Sequence, residues 1–91
     1  MNPLNVLNNL QTEMARRITA ALPDAKIDLR DLTGTNDHWH ATVVSSTFEG
    51  QTPVTRQRAV YAALGELIHG PIHALSLKTL TPAQAAQASQ T

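Results

Sequence analysis

The sequence predicts an α+β domain in which helices pack on one face of a three-stranded sheet. Three observations carry this. Apolar residues recur at helical spacing in two segments, shorter segments alternate apolar with polar residues, and turn-forming clusters separate them. The 91 residues make one domain, since two would each be too small to bury a useful core.

Asn2-Pro3 marks the first helix start, with Asn2 as cap and Pro3 at the first helical position. Leu7, Leu10, Met14 and Ile18 follow at helical spacing and Leu22 extends the stripe. Pro23 ends the pattern, because the residue before a proline is pushed out of the α region. Glu13, Arg16 and Arg17 fall outside the stripe and are expected in solvent. Ile27 and Leu29 alternate with Lys26, Asp28 and Arg30, the pattern of a half-buried strand. Thr33 to Asp37 is rich in turn formers and reverses the chain. The second strand, His38 to Ser46, sets Trp39, Ala41 and Val43 on one face and His40, Thr42 and Val44 on the other. Together these strands form an antiparallel hairpin.

Phe48-Glu49-Gly50 turns the chain out of the hairpin. Thr52-Pro53 opens the second helix, whose inner stripe is Val60, Leu64 and Leu67, with Ala63 and Ile68 adjoining. His69-Gly70-Pro71 stops it, which puts His69 in its last turn. Ile72 to Leu80 is the last strand. Beyond Pro82, alanine and glutamine favour helix, but no large apolar side chain is available to dock one. The expectation is a folded domain over 1–82, then a frayed turn and a disordered tail over 83–91.

Composition removes several functions. With no cysteine there is no disulfide, thiolate nucleophile or thiolate metal site from this chain. A bound metal must use histidine, carboxylates or ligands from another molecule. Seven Lys+Arg balance seven Asp+Glu, without the basic excess of a domain dedicated to nucleic acid. Met1-Asn2-Pro3-Leu4 lacks the basic start of a secretory signal, and no stretch approaches the roughly 18 apolar residues of a membrane span. These features predict a cytoplasmic protein with no membrane partner.

Candidate chemistry rests on His38, His40, His69 and His73. Side chains two apart on a strand point the same way, so His38 and His40 form either a metal pair or part of a solvated face. His69 fits a helix-end histidine near unpaired carbonyls. His73, after Gly70-Pro71-Ile72, has the parity of Leu75 and Leu77 and stands at the rim of the core face. It could offer a metal one neutral nitrogen, although strand-end histidines without a ligand role are common. No Gly-X-Ser-X-Gly turn surrounds Ser45 or Ser46, and no glycine-rich phosphate loop exists. Asp28 and Asp31 read as solvated strand charges, so an autonomous enzyme is not expected. Arg56, Arg58 and Lys78 could make a basic, partner-binding patch. The Gly-X-X-Gly clamp of RNA-binding KH domains is absent.

Three longer strings are more specific than these fragments. They are His38-Trp39-His40-Ala41-Thr42-Val43-Val44-Ser45-Ser46 with Phe48-Glu49-Gly50, then Arg56 to Leu64, then Ile72-His73-Ala74-Leu75-Ser76-Leu77-Lys78-Thr79-Leu80-Thr81-Pro82. In this order and spacing the chain resembles the BolA family. The resemblance implies an α-β-β-α-α-β fold of type II KH-like form. It further implies a heterodimer with a monothiol glutaredoxin, the two proteins sharing a [2Fe-2S] cluster that this chain would not hold alone. The glutaredoxin cysteine and glutathione would supply thiolates. His73 matches the family's cluster ligand, and His38 is the best match for a second. Three positions depart from the family pattern: Gln57 lies between Arg56 and Arg58 where relatives carry histidine, Ala85 replaces a tryptophan, and Trp39 replaces a phenylalanine. The KH-like fold and the regulatory roles of some relatives leave DNA binding in transcriptional regulation as the competing function, and a stress-response role without a cluster as another.

Overall fold

The computed structural model describes residues 3–89, with side chains over 10–88. Asn2, assigned above as the first cap, and the side chain of Leu7 lie outside the described residues. Helix α1 spans Pro3–Ala21, strand β1 Lys26–Asp31 and strand β2 His38–Val44. A 3-10 turn, Ser46–Phe48, leads to helix α2, Pro53–Leu64, and a second 3-10 turn, Gly65–Leu67, follows it. Strand β3 is Ala74–Leu80 and helix α3 is Pro82–Ser89. Among the described residues the sheet has three strands in the order β1-β2-β3. The β1-β2 pair is antiparallel and the β2-β3 pair is parallel. The expected α+β architecture is therefore present, with 3-10 turns before and after α2.

The apolar stripe of α1 explains its packing. Met14, Ile18 and Leu22 are buried with Trp39, Ala41 and Val43 of β2, and with Val60 and Leu64 of α2. Central strand β2 alternates buried and half-buried positions residue by residue, as a strand covered on one face must. Phe48, read from sequence as part of a turn, is fully buried. Asp24 holds its turn in place, accepting from the Ser45 hydroxyl at 2.6 Å, the Ser46 hydroxyl at 2.6 Å and the Ser46 amide at 2.8 Å.

Two arginines do structural work that the sequence reading left to solvent. Arg17 donates to the Leu64 carbonyl at 3.0 Å and to Glu66 at 2.8 Å while holding Glu13 at 2.7 Å. It thereby ties α1 to the carbonyl end of α2. Arg56 is 9% exposed. It donates to the Gln51 carbonyl at 3.1 Å, the Thr79 carbonyl at 3.5 Å and the Gln84 side chain at 3.0 Å. Its guanidinium lies 5.8 Å from the centroid of the Phe48 ring.

Asp31 is exposed on its strand, as its sequence reading had it, and makes contacts besides. It belongs to β1, and its carboxylate accepts from the amides of Thr33, Gly34 and Asn36. This organises the hairpin loop, where Gly34 and Asn36 adopt positive φ. The chain end differs from its sequence reading. In place of a single frayed turn, α3 makes two turns, capped where the Thr81 hydroxyl accepts from the Gln84 amide and the Gln84 side chain accepts from the Thr81 amide.

Candidate functional site

The site lies at the end of the sheet where β2 and β3 both begin. His38 opens β2. His73 falls inside the strand expected over Ile72 to Leu80 but stands one residue before the observed β3, and it is exposed. The two rings meet edge to face, with centroids 6.4 Å apart and planes at 71°. Asp37 joins them. Its carboxylate lies 2.9 Å from Nδ1 of His38, and its main-chain carbonyl accepts from the amides of His73 at 2.8 Å and Ala74 at 3.1 Å. The Asp37 carboxyl is held down from 3.8 to about 2, first by the Thr35 hydroxyl and then by His38.

His73 owes its position to the turn before it. The backbone folds back after α2 through amide-to-carbonyl bonds from Gly70 to Leu67 at 3.3 Å, Ile72 to Leu67 at 3.0 Å and His69 to Ile72 at 3.1 Å. His69 has a φ of 69°, so it sits in a left-handed turn beyond the helix and not in its last turn. Gly70 is required by close approach, because a Cβ there would stand 2.8 Å from the Glu66 carbonyl oxygen. Ile72 is buried and anchors the segment that presents His73.

Beside His73 opens a cleft of about 550 Å³ with Ile68, Ile72 and Leu75 among its apolar walls. Tyr61, His69 and His73 give it polar groups. Carboxylates do not line it, so it suits an apolar side chain or an anionic group of an incoming molecule.

The remaining sequence candidates are dispersed. The ring nitrogens of His40 lie 3.1 Å from the Ser76 hydroxyl and 3.4 Å from the Thr42 hydroxyl, so the imidazole facing His38 is His73 and not its strand neighbour. Arg56 is interior. Arg58 is exposed on the helical layer, whereas Lys78 pairs with Thr42 on the helix-free face of the sheet. These three do not form one patch. Asp37, Tyr61 and the cleft were missed by sequence reasoning. The single available signal was an acid directly before His38.

The donor set bounds the chemistry. Among the described residues no group of three or more His, Asp or Glu side chains converges as a metal site. His38 and His73 can supply two imidazole nitrogens, which leaves a metal centre needing ligands from elsewhere. No helix among the described residues is long and apolar enough to cross a membrane.

Known proteins match this chain in sequence and in fold. The family profile described as BolA-like protein matches residues 21–84. Human BolA-like protein 1 is 36% identical over 88 residues, covering 89% of this chain and 64% of that protein. The chain thus spans under two thirds of the length of that curated relative. A BolA protein homologue from Coxiella burnetii superposes with a TM-score of 0.68 at 39% identity, covering 80% of this chain and 91% of that one. Yeast Fra2 superposes with a TM-score of 0.63 at 34% identity, covering 79% and 78%. A Vibrio cholerae protein named DNA-binding transcriptional regulator BolA is 39% identical over 57 residues, or 63% of this chain and 54% of its own. With the profile running from the end of α1 into α3 and the fold shared by these structures, the chain belongs to the BolA-like family.

Proposed function

We propose that this chain is a non-enzymatic adaptor that docks on a monothiol glutaredoxin and completes the coordination of a [2Fe-2S] cluster. His73 is the principal ligand from this side and His38 the second. The glutaredoxin cysteine and glutathione supply the thiolates. The observation that carries the reading is the pairing of His73 with His38 at one exposed corner, 6.4 Å between centroids, where the chain has imidazoles to offer and no third ligand among the described residues. The partner class is the one that the resemblance to the family implies. Imidazole in place of thiolate raises a cluster's potential and leaves a protonatable, exchangeable ligand, which suits iron-sulfur handling or iron and redox regulation in the cytoplasm.

The chain's own residues do three things in this reading. The Gly70 turn and Ile72 fix where His73 stands, Asp37 links the two histidines, and the cleft lined by Tyr61 and Leu75 receives part of the docking surface. The test mixes the protein with a monothiol glutaredoxin, iron, sulfide and glutathione and records visible absorption and circular dichroism. A spectrum distinct from that of the glutaredoxin homodimer is expected, altered in His73→Ala and less so in His38→Ala. Identical spectra with and without this chain would sink the reading.

The nucleic-acid alternative draws on the name of the Vibrio cholerae relative. It needs cations gathered on one face to neutralise phosphates. Arg56 is interior, and Arg58 and Lys78 lie on different sides of the sheet, so these three do not supply that face.

A further inference from the structure

We propose that Asp37 is the positioning residue of the two-histidine corner, fixing which nitrogen of His38 faces outward. The inference rests on the adaptor reading for its purpose but not for its geometry. Two roles converge on this one residue. Its carboxylate lies 2.9 Å from Nδ1 of His38, and an ionised carboxylate can only accept, so Nδ1 carries the hydrogen in neutral imidazole. The lone pair of His38 is then on Nε2, the nitrogen turned away from Asp37. Its carbonyl meanwhile accepts from the amides of His73 and Ala74, which sets the start of the third strand against the start of the second. A single residue thus fixes the ring of one histidine and the backbone of the other.

The carboxylate is itself held. The hydroxyl of Thr35 donates to Asp37 Oδ1, and the Thr33 hydroxyl lies within 3.5 Å of the same oxygen. The loop that carries these threonines is organised in turn by Asp31 through three backbone amides. An acid that orients a histidine through its far nitrogen is the usual outer support of a metal-binding imidazole. No comparable support exists for His73, whose ring has no side-chain hydrogen bond among the described residues. The pair is therefore asymmetric. His38 is held in one tautomer and orientation, while the ring of His73 is free to turn and to exchange.

The test needs no cluster. Long-range 1H–15N correlation spectra of the protein alone, at a pH where both histidines are neutral, report the tautomer of each ring from its nitrogen shifts. His38 is expected as the Nδ1–H form, and His73 as a mixture. Asp37→Ala should move His38 towards the Nε2–H form and leave the His73 tautomer unchanged. Asp37→Asn, which retains an acceptor oxygen, should keep most of the wild-type signature. If His38 in the wild-type protein is already the Nε2–H form, or if Asp37→Ala leaves its shifts unchanged, the inference is overturned. The wild-type spectrum decides the matter even should the alanine variant fail to fold. Cluster assembly with glutaredoxin separates this inference from the adaptor reading. A wild-type complex without the expected spectrum would overturn the adaptor role while the tautomer result stands. Altered assembly in His73→Ala with an unaltered His38 tautomer in Asp37→Ala would do the reverse.

Discussion

Arg56 shows how a residue's role is decided by partners far away in sequence. From its neighbours it is a charged residue near a helix start, available to solvent or to a docking surface. In the fold it is nearly buried over Phe48 and donates to groups on three other segments. No local pattern announces that carbonyls from Gln51 and Thr79 will converge on it. Arg56→Met should cost roughly 2–3 kcal/mol, since it keeps the aliphatic packing but strands buried acceptors. Arg58→Ala on the exposed face should stay within about 0.5 kcal/mol. Urea denaturation of both variants checks the contrast, and equal midpoints would refute the buried role. Asp24 has a pH signature. Hydrogen bonds from the Ser45 hydroxyl, then from the Ser46 hydroxyl and amide, lower its carboxyl from 3.8 to about 2. A group with a depressed folded-state value contributes stability above its unfolded value and loses it as pH falls towards the folded one. Stability should therefore fall between about pH 4 and pH 2, and Asp24→Ala should flatten part of that fall in an acid-unfolding series.

The helices and the hairpin were legible because each is specified by local periodicity. The stripe of Met14, Ile18 and Leu22, the alternation through Trp39, Ala41 and Val43, and the cap Thr52 before Pro53 all work within a few residues, and all appear as read. The segments that failed are those whose structure depends on distant contacts. After Leu64 the helix gives way to a 3-10 turn whose carbonyl end is met by Arg17 from α1. At the chain end, Thr81-Pro82-Ala83-Gln84 was a readable capping signal, passed over because no large apolar residue followed. Arg56 reaches Gln84 as well, so polar contacts fasten the start of α3. The turn after α2 carries the sharpest prediction at this scale. Gly70→Ala puts a methyl against the Glu66 carbonyl and should cost about 1–3 kcal/mol. Because the same turn delivers His73, the variant should also perturb the His73 ring shifts. A variant as stable as the wild type, with unmoved His73 signals, would contradict the role assigned to the turn.

At the scale of the molecule, the sequence offered His73 and His38 as separate candidates and joined them only through family resemblance, because spacing could not place residues 35 positions apart side by side. The parallel pairing of β2 with β3 does so, aligning His38 with Ala74. What results is a neutral domain with two imidazoles at a corner beside an apolar cleft, and no third ligand among the described residues. The central claim is that a partner completes this site with histidine from this chain bound to iron. The most direct measurement labels only this chain with 15N-histidine, assembles it with unlabelled glutaredoxin, glutathione and cluster, reduces the complex and records pulsed electron-nuclear hyperfine spectra. A strongly coupled 15N signal that weakens in His73→Ala and disappears when His38 is replaced as well is the result this account predicts. A cluster-bearing complex with no histidine nitrogen coupling from this chain would contradict it.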